Sequence, residues 1–237
     1  LGGLFGTYDL ASTISNSYYN INNTTIKGAS GVVTLGGIYS DLYTIWQNAN
    51  RISLVASSYL TTVDTDFYEL SSLADLKNSL AFVYQDGIKF KLISNLDLND
   101  STTNLIGWNL SRFKGTFDGN GNTLSNVNIN QDFNKDVGLF GKLDGATVSN
   151  LTINGATVKG NGNTAVLAGS SNNSSAISGV VVTGANVIGG SDGNIGGLVG
   201  LNTTNSTISG SSTAGSLSGT GANSGGLVGF NNSAATT

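Results

Sequence analysis

The chain has 237 residues, 38% hydrophobic and only 10% charged, with a net charge of −4. This globular composition is long enough to bury one large core or two ordinary ones, and its weak negative charge provides no basic field for nucleic acid or an anionic membrane. Cys, His and Pro are all absent, which rules out disulfides, thiolate and imidazole metal sites, Cys nucleophiles, His bases, collagen and polyproline.

No apolar run approaches the roughly 20 residues of a membrane-spanning helix, and no signal peptide is visible, so membrane insertion is not expected. The chain opens on Gly2-Gly3-Leu4-Phe5-Gly6, already inside a repeat, which reads as a piece of a longer chain whose targeting signals lie elsewhere. Residues 1–40 therefore read as the end of a preceding β-solenoid array, with Ile14-Ser15-Asn16-Ser17-Tyr18-Tyr19 as one of its rungs.

Residues 41–112 have no clear period at first and are too apolar for a linker, so they read as a packed junction and capping segment. Within them Leu70, Leu73, Leu76 and Leu80 recur at helical spacing, and Ser72 with Asp75 resembles a capping box, which predicts a short helix near 72–82. After a turn at Asp86-Gly87, residues 88–93 and 96–98 alternate as strands do. A helix followed by strands just ahead of a repeat array has the place of a cap over an open sheet edge.

Residues 113–237 carry the repeat. Val137-Gly138-Leu139-Phe140-Gly141 returns at nearly even steps as Ala165-Val166-Leu167-Ala168-Gly169, Gly196-Gly197-Leu198-Val199-Gly200 and Gly225-Gly226-Leu227-Val228-Gly229. Such a period falls in the range of solenoid and other repeat architectures. Between these returns Leu124, Val127 and Ile129 are followed by the similar set Val148, Leu151 and Ile153. Ile177, Val180 and Val182 come next, then Ile208, Ser211 and Thr213, with Val158, Val187 and Leu217 as a third rung. Three short apolar-alternating segments per coil, separated by Gly, Asn and Ser turns, predict an all-β parallel β-solenoid. Leu139, Leu167, Leu198 and Leu227 then form an interior ladder, and the paired glycines serve either a sharp bend or a positive φ.

Gly-Gly-Leu-Val-Gly with a following Asn (Asn202, Asn231) and then Ile-Ser resembles the GLUG repeat of bacterial surface proteins. The lead-in through Ile106-Gly107-Trp108 and Gly115-Thr116-Phe117-Asp118-Gly119-Asn120-Gly121 is similar to the segment found before such repeats. The likeness covers about 88–237 well and 1–20 in part; Ala165 in place of Gly, and Ser211 and Thr213 in place of apolar rungs, depart from it. Repeats of this kind occur in secreted adhesins of the filamentous-haemagglutinin type and in cell-wall immunoglobulin A metallopeptidases. The resemblance implies a right-handed parallel β-helix and specifies a scaffold rather than an activity.

Metallopeptidase chemistry needs a motif such as His-Glu-x-x-His, which a chain without His lacks. A glycosidase or lyase needs paired acids on one face, for which Asp118, Asp132, Asp136 and Asp144 are the nearest candidates. Asp118, in Phe-Asp-Gly-Asn-Gly, fits an Asx turn; the other three fit an outward loop, with a weak calcium site as the alternative. No catalytic residue, cofactor or metal site is assigned. Tyr18, Tyr19, Tyr39, Tyr43 and Trp46 form the aromatic patch best suited to stack on sugars or a protein partner, with junction packing as the other reading. Asn-x-Ser/Thr triplets begin at Asn22, Asn23, Asn99, Asn109, Asn150, Asn172, Asn173, Asn202, Asn205 and Asn231.

The expectation is thus a structural or adhesive segment of a long extracellular bacterial surface protein, meeting glycans or proteins of a host or neighbouring cell. End-to-end self-association into a filament or sheath is one alternative, and a β-helix carbohydrate-active enzyme another. Leu4 and Leu227 hold the same place in the motif at the two ends of the chain, as they would in tandem units of a larger array.

Overall fold

The computed structural model describes residues 25–26, 29–30, 55–64, 66–79, 82–83, 85–98, 112–131 and 136–232. The aromatic patch Tyr18, Tyr19, Tyr39, Tyr43 and Trp46 lies outside these residues, as does Asp132. In chain order the first elements are β1 (Thr25–Ile26) and β2 (Ala29–Ser30), an antiparallel pair. Next come β3 (Thr62–Val63), β4 (Phe67–Leu70), helix α1 (Leu73–Ser79), β5 (Lys89–Leu92) and β6 (Leu96–Asp97).

The predicted helix is present over Leu73–Ser79, and its capping chemistry is as expected: the Asp75 N–H donates to Ser72 Oγ (3.2 Å) and the Ser72 hydroxyl donates to Asp75 Oδ2 (2.8 Å). Leu76 is buried and packs the helix into the core beside Leu70 at the end of β4.

The repeats then stack as a parallel β-solenoid. The first coil holds β7 (Thr116–Asp118), β8 (Thr123–Ser125), β9 (Asn128–Gln131), β10 (Asp136–Val137) and β11 (Phe140–Asp144). Its successor holds β12 (Thr147–Ser149), β13 (Thr152–Asn154), β14 (Thr157–Gly160), β15 (Asn163–Thr164) and β16 (Ala168–Asn172). In the third coil, β17 (Ala176–Ser178), β18 (Val181–Gly189), β19 (Asn194–Gly196) and β20 (Val199–Thr203), one long strand spans what were two. The last described coil, β21 (Thr207–Ser209), β22 (Ser212–Gly219), β23 (Asn223–Gly225) and β24 (Val228–Asn232), follows the same plan. The three expected segments are the first three strands of the first two coils and the first two strands of the last two; the Gly-Leu-Phe-Gly stretch adds a short strand on either side of its Leu.

Equivalent strands of successive coils pair in parallel, which builds four sheets along the stack. One runs β4-β5-β7-β12-β17-β21, with β3 added antiparallel at its start. Strands β5 and β6 pair with β7 and β8, so the stack extends on the N-terminal side of residue 113. Alternation decides which side chains enter the core: Val158 in Thr157-Val158-Lys159 is buried while both neighbours are exposed.

Partnered positions form interior ladders: Phe117–Val148–Ile177–Ile208, Leu124–Ile153–Val182–Thr213 and Ile129–Val158–Val187–Leu217. The first coil differs by one rung from the spacing read in the sequence. Leu124 pairs with Ile153 rather than Val148, and Phe117 is the partner of Val148. Within a coil the apolar residues Val148, Ile153 and Val158 recur every five positions, so a one-rung slip still sets Leu124 against Val148 and Ile129 against Ile153, and the spacing of these rungs does not distinguish the two.

The core narrows along the stack. Phe90, Phe113, Phe117 and Phe140 are fully buried at its N-terminal side, with the Phe113 and Phe140 rings stacked at 5.2 Å and Phe117 edge-on to Phe140 at 5.5 Å. Further along, Phe140 gives way to Ala168 and Val199, and Leu143 to Ser171 and Asn202. Each fully buried aliphatic side chain contributes roughly 1.5–3 kcal/mol, and none can be buried by its own coil alone.

Several of the repeat glycines answer to close approach, and none of the described ones has a positive φ. A Cβ on Gly169 would sit 2.3 Å from Val137 N, and one on Gly196 only 1.9 Å from Val199 O. The left-handed corners lie elsewhere: Asn126, Gly155 and Gly184 turn one corner of successive coils, and Asn150, Gly179 and Gly210 another.

Candidate functional site

Charge is concentrated where the stack begins. Lys89 pairs with Asp66 at 3.2 Å, Lys91 with Asp64, and both ammonium groups lie over the Phe67 ring, 5.7 and 5.8 Å from its centroid. The hydrogen bond that Lys91 donates to Asp64 holds its ammonium above the usual lysine range, against desolvation and with Coulombic help from Asp64 and Asp118. On the outer face of this sheet Lys91 is in register with Asp118, followed by Ser149, Ser178 and Ser209, so the ion pairs give way to a row of hydroxyls.

The candidate acids are placed by asparagines of the next coil. Asp118 Oδ1 accepts from the Asn120 N–H (2.9 Å), the expected Asx turn, and from Asn150 Nδ2 (3.1 Å). Asp144 Oδ1 accepts from Asn173 Nδ2, and Asp97 Oδ1 from Asn126 Nδ2 at 2.8 Å. Asp136 starts a longer series: Asn163 Nδ2 donates to it (2.8 Å), Asn194 Nδ2 donates to Asn163 (2.8 Å), and Asn223 Nδ2 donates to Asn194 (2.7 Å). Each amide donates toward the preceding coil, and the series begins on a carboxylate, which can only accept.

Asp136 and Asp144 are therefore half-buried strand residues of β10 and β11, not members of an outward loop. Their carboxylates act as acceptors that hold coils in register, and among the described residues no three Asp or Glu side chains gather as a cation site would require. The signal for these ladders is present in the sequence as polar residues at one phase of the repeat: Asp136, Asn163, Asn194 and Asn223 each recur one period after the last.

The Leu167 N–H donates to Leu198 O (3.1 Å) and the Leu198 N–H to Leu227 O (2.9 Å), whereas at the first rung the Leu139 N–H donates to Val166 O (3.0 Å) and the Phe140 N–H to Leu167 O (2.8 Å). Leu139, Leu167 and Leu198 are at most 1% exposed, whereas Leu227 in the last described coil is 36% exposed. Sequon asparagines are also absorbed into the stack. Asn150 and Asn173 hold the aspartates of the preceding coil, and Asn202 is buried with its Nδ2 on Ser206 O (3.1 Å) and Asn231 Oδ1 (2.9 Å). Asn205 is exposed in a left-handed turn at φ 60°. Asn22, Asn23, Asn99 and Asn109 lie outside the described residues. An open groove of about 320 Å³ runs along the outer corner at Lys159, Gly160, Asn161, Ile188, Gly189 and Gly190.

No family model matches the chain. It is 36% identical over 219 residues to Halomucin of Haloquadratum walsbyi, a match that takes in 89% of this chain and 2% of that protein. The chain thus spans about a fiftieth of its relative's length. Among solved structures it resembles a Bacteroides ovatus protein described as an immunoglobulin A1 protease candidate, with a TM-score of 0.50 and 17% identity over 72% of this chain and 63% of that one. At that identity the likeness speaks to the fold, and it agrees with the β-solenoid found here.

Proposed function

We propose that this chain is a structural and adhesive segment of a long extracellular surface protein, built from GLUG-type coils and contacting glycans or proteins of a neighbouring or host cell. The observation that carries this reading is the match to Halomucin: nearly the whole chain corresponds to a very small part of a very long protein that bears a mucin's name. A stack of coils suits such a place. Its exterior is made of Ser, Thr and Asn rows with few charges, and each added coil lengthens the rod by about 4.8 Å without needing a new core.

The polar rows and the Asn205 turn are the surfaces offered for contact. Glycan and receptor arrays probed with the 237-residue chain test the adhesive part. Saturable binding to a glycan or receptor class is expected, and silence on both arrays contradicts it. Labelling of intact source cells with an antibody to the chain tests location, with staining expected before permeabilisation.

A further inference from the structure

Sequons whose residues are all described begin at Asn150, Asn172, Asn173, Asn202 and Asn205, and the fold treats them unequally. Transfer of a glycan to Asn needs the carboxamide nitrogen at the surface and, two residues on, a Ser or Thr hydroxyl that the transferring enzyme can reach. Asn150 Nδ2 is tied to Asp118 Oδ1 (3.1 Å) and Asn173 Nδ2 to Asp144 Oδ1. The hydroxyl that Asn173 would use belongs to Ser175, which is fully buried, donates to Asn172 O (2.6 Å) and accepts from the Ala146 N–H (3.1 Å). The Asn172 amide, oriented so that its oxygen accepts from Lys142 Nζ, donates to Ser171 O (3.0 Å). Asn202 is 4% exposed, with its amide on Ser206 O and Asn231 Oδ1.

Asn205 differs on every count. It is exposed, its carboxamide makes no hydrogen bond among the described residues, and Thr207, two residues on, is exposed at the start of β21. This exposure belongs to the corner and needs no free coil beyond it. By the pairing of Ala176 with Thr207, Ser174 holds the same place one coil earlier, and it stays exposed although its N–H donates to Thr204 O of the coil stacked upon it. In the row of Thr207, Thr147 lies between two coils and is exposed as well. Thr204 and Asn205 turn the corner in the left-handed region, at φ 53° and 60°, which Asn tolerates better than most residues. A sugar on Asn205 is wider than one step of about 4.8 Å between coils, and the small Ser174 and Gly145 at the preceding corners leave it room.

We propose that Asn205 is an N-glycosylation site, the position at which the described stack accepts a glycan from a lipid-phosphate-linked oligosaccharide. In the transfer, Asn205 Nδ2 forms a bond to the anomeric carbon of the first sugar and gives up one proton. The bond from that carbon to the phosphate oxygen of the carrier breaks, and the lipid phosphate leaves with the electron pair. No contact between coils is broken on the way, whereas the amide of Asn150 or Asn173 would first have to release the aspartate of the preceding coil. In the cell the modification rests on the surface reading, because such enzymes act on exported chains; the accessibility of Asn205 does not.

The test uses the folded 237-residue chain, a purified oligosaccharyltransferase and its lipid-linked oligosaccharide, with occupancy of each sequon read by peptide mass spectrometry. Short peptides spanning each sequon serve as unfolded acceptors for normalisation. The locked sequons react only through local opening of the stack, so normalised occupancy at Asn205 should exceed that at Asn150, Asn173 and Asn202 by at least about tenfold. Asn205→Gln and Thr207→Ala should each abolish that modification while the melting temperature holds. A bare Asn205 in the folded chain when its peptide is modified, or Asn150 or Asn202 modified as readily as Asn205, overturns the proposal. A chain that accepts the glycan at Asn205 but does not stain on intact cells fails the surface reading and keeps the site.

Discussion

Truncating the same residue in each rung of the Leu ladder probes how the stack distributes its stability. Leu167 is fully buried between Leu139 and Leu198, so Leu167→Ala removes its side chain from a site walled by coils on both sides. Such a site collapses poorly, which places the cost at about 3–4 kcal/mol within the usual range for buried Leu→Ala. Leu227 is 36% exposed and has described neighbours on one side, so the same change there costs about 1–2 kcal/mol. Because coils interact with nearest neighbours, the loss is local, and denaturation should be followed by amide exchange as well as by circular dichroism. The expected pattern is faster exchange across β11, β16 and β20 in Leu167→Ala, and loss confined to β20 and β24 in Leu227→Ala. Equal costs for the two variants, or a silent Leu167→Ala, would refute nearest-neighbour stacking around this ladder.

Other outcomes follow from single observations. Gly169→Ala places a methyl group 2.3 Å from Val137 N, and should lower the melting temperature well beyond the about 1 kcal/mol cost of lost backbone freedom, whereas Gly226→Ala, with open space around it, should be nearly silent. Ser171→Ala deletes a fully buried hydroxyl with no hydrogen-bond partner among the described residues, and should leave stability unchanged or raise it by about 1 kcal/mol in urea titration. The Lys91–Asp64 contact raises the folded-state pKa of Lys91, so its contribution is fully present below the unfolded lysine pKa of about 10.4 and fades as pH rises through the higher folded value. The melting difference between the parent and Lys91→Gln should therefore be flat from neutral pH to that point and shrink beyond it. Incubation with a polysaccharide panel should give no turnover; cleavage that disappears in Asp118→Ala would make the chain an enzyme instead.

Much of the fold is legible because the solenoid repeats its chemistry. Val148, Ile177 and Ile208 keep one phase, as do Val158, Val187 and Leu217, and each lands in the sheet its spacing implied. The register of the first coil is not, since apolar residues every five positions make neighbouring rungs interchangeable in the sequence. Asp136 and Asp144 escape a local reading for a related reason: a carboxylate suggests an outward loop until the amide that donates to it is seen one coil away. That partner is separated by a whole repeat, beyond the reach of any local pattern. Among the glycines of Gly196-Gly197-Leu198-Val199-Gly200, Gly197 and Gly200 likewise answer to atoms of neighbouring coils, the carbonyls of Gly226 and Gly169, while Gly196 is closed in by the Val199 carbonyl of its own motif.

The stacking register is the claim on which the ladders and the core both rest, and a chain without Cys allows it to be read by cross-linking. Thr123 and Thr152 are direct partners, roughly 4.8 Å apart across a parallel pair and within reach of a disulfide. Thr123→Cys with Thr152→Cys should oxidise rapidly and completely, and Thr123→Cys with Thr147→Cys, the pairing that a one-rung slip would create, should remain reduced. The reverse result would contradict the register, and oxidation of both pairs at equal rates would contradict a single ordered stack.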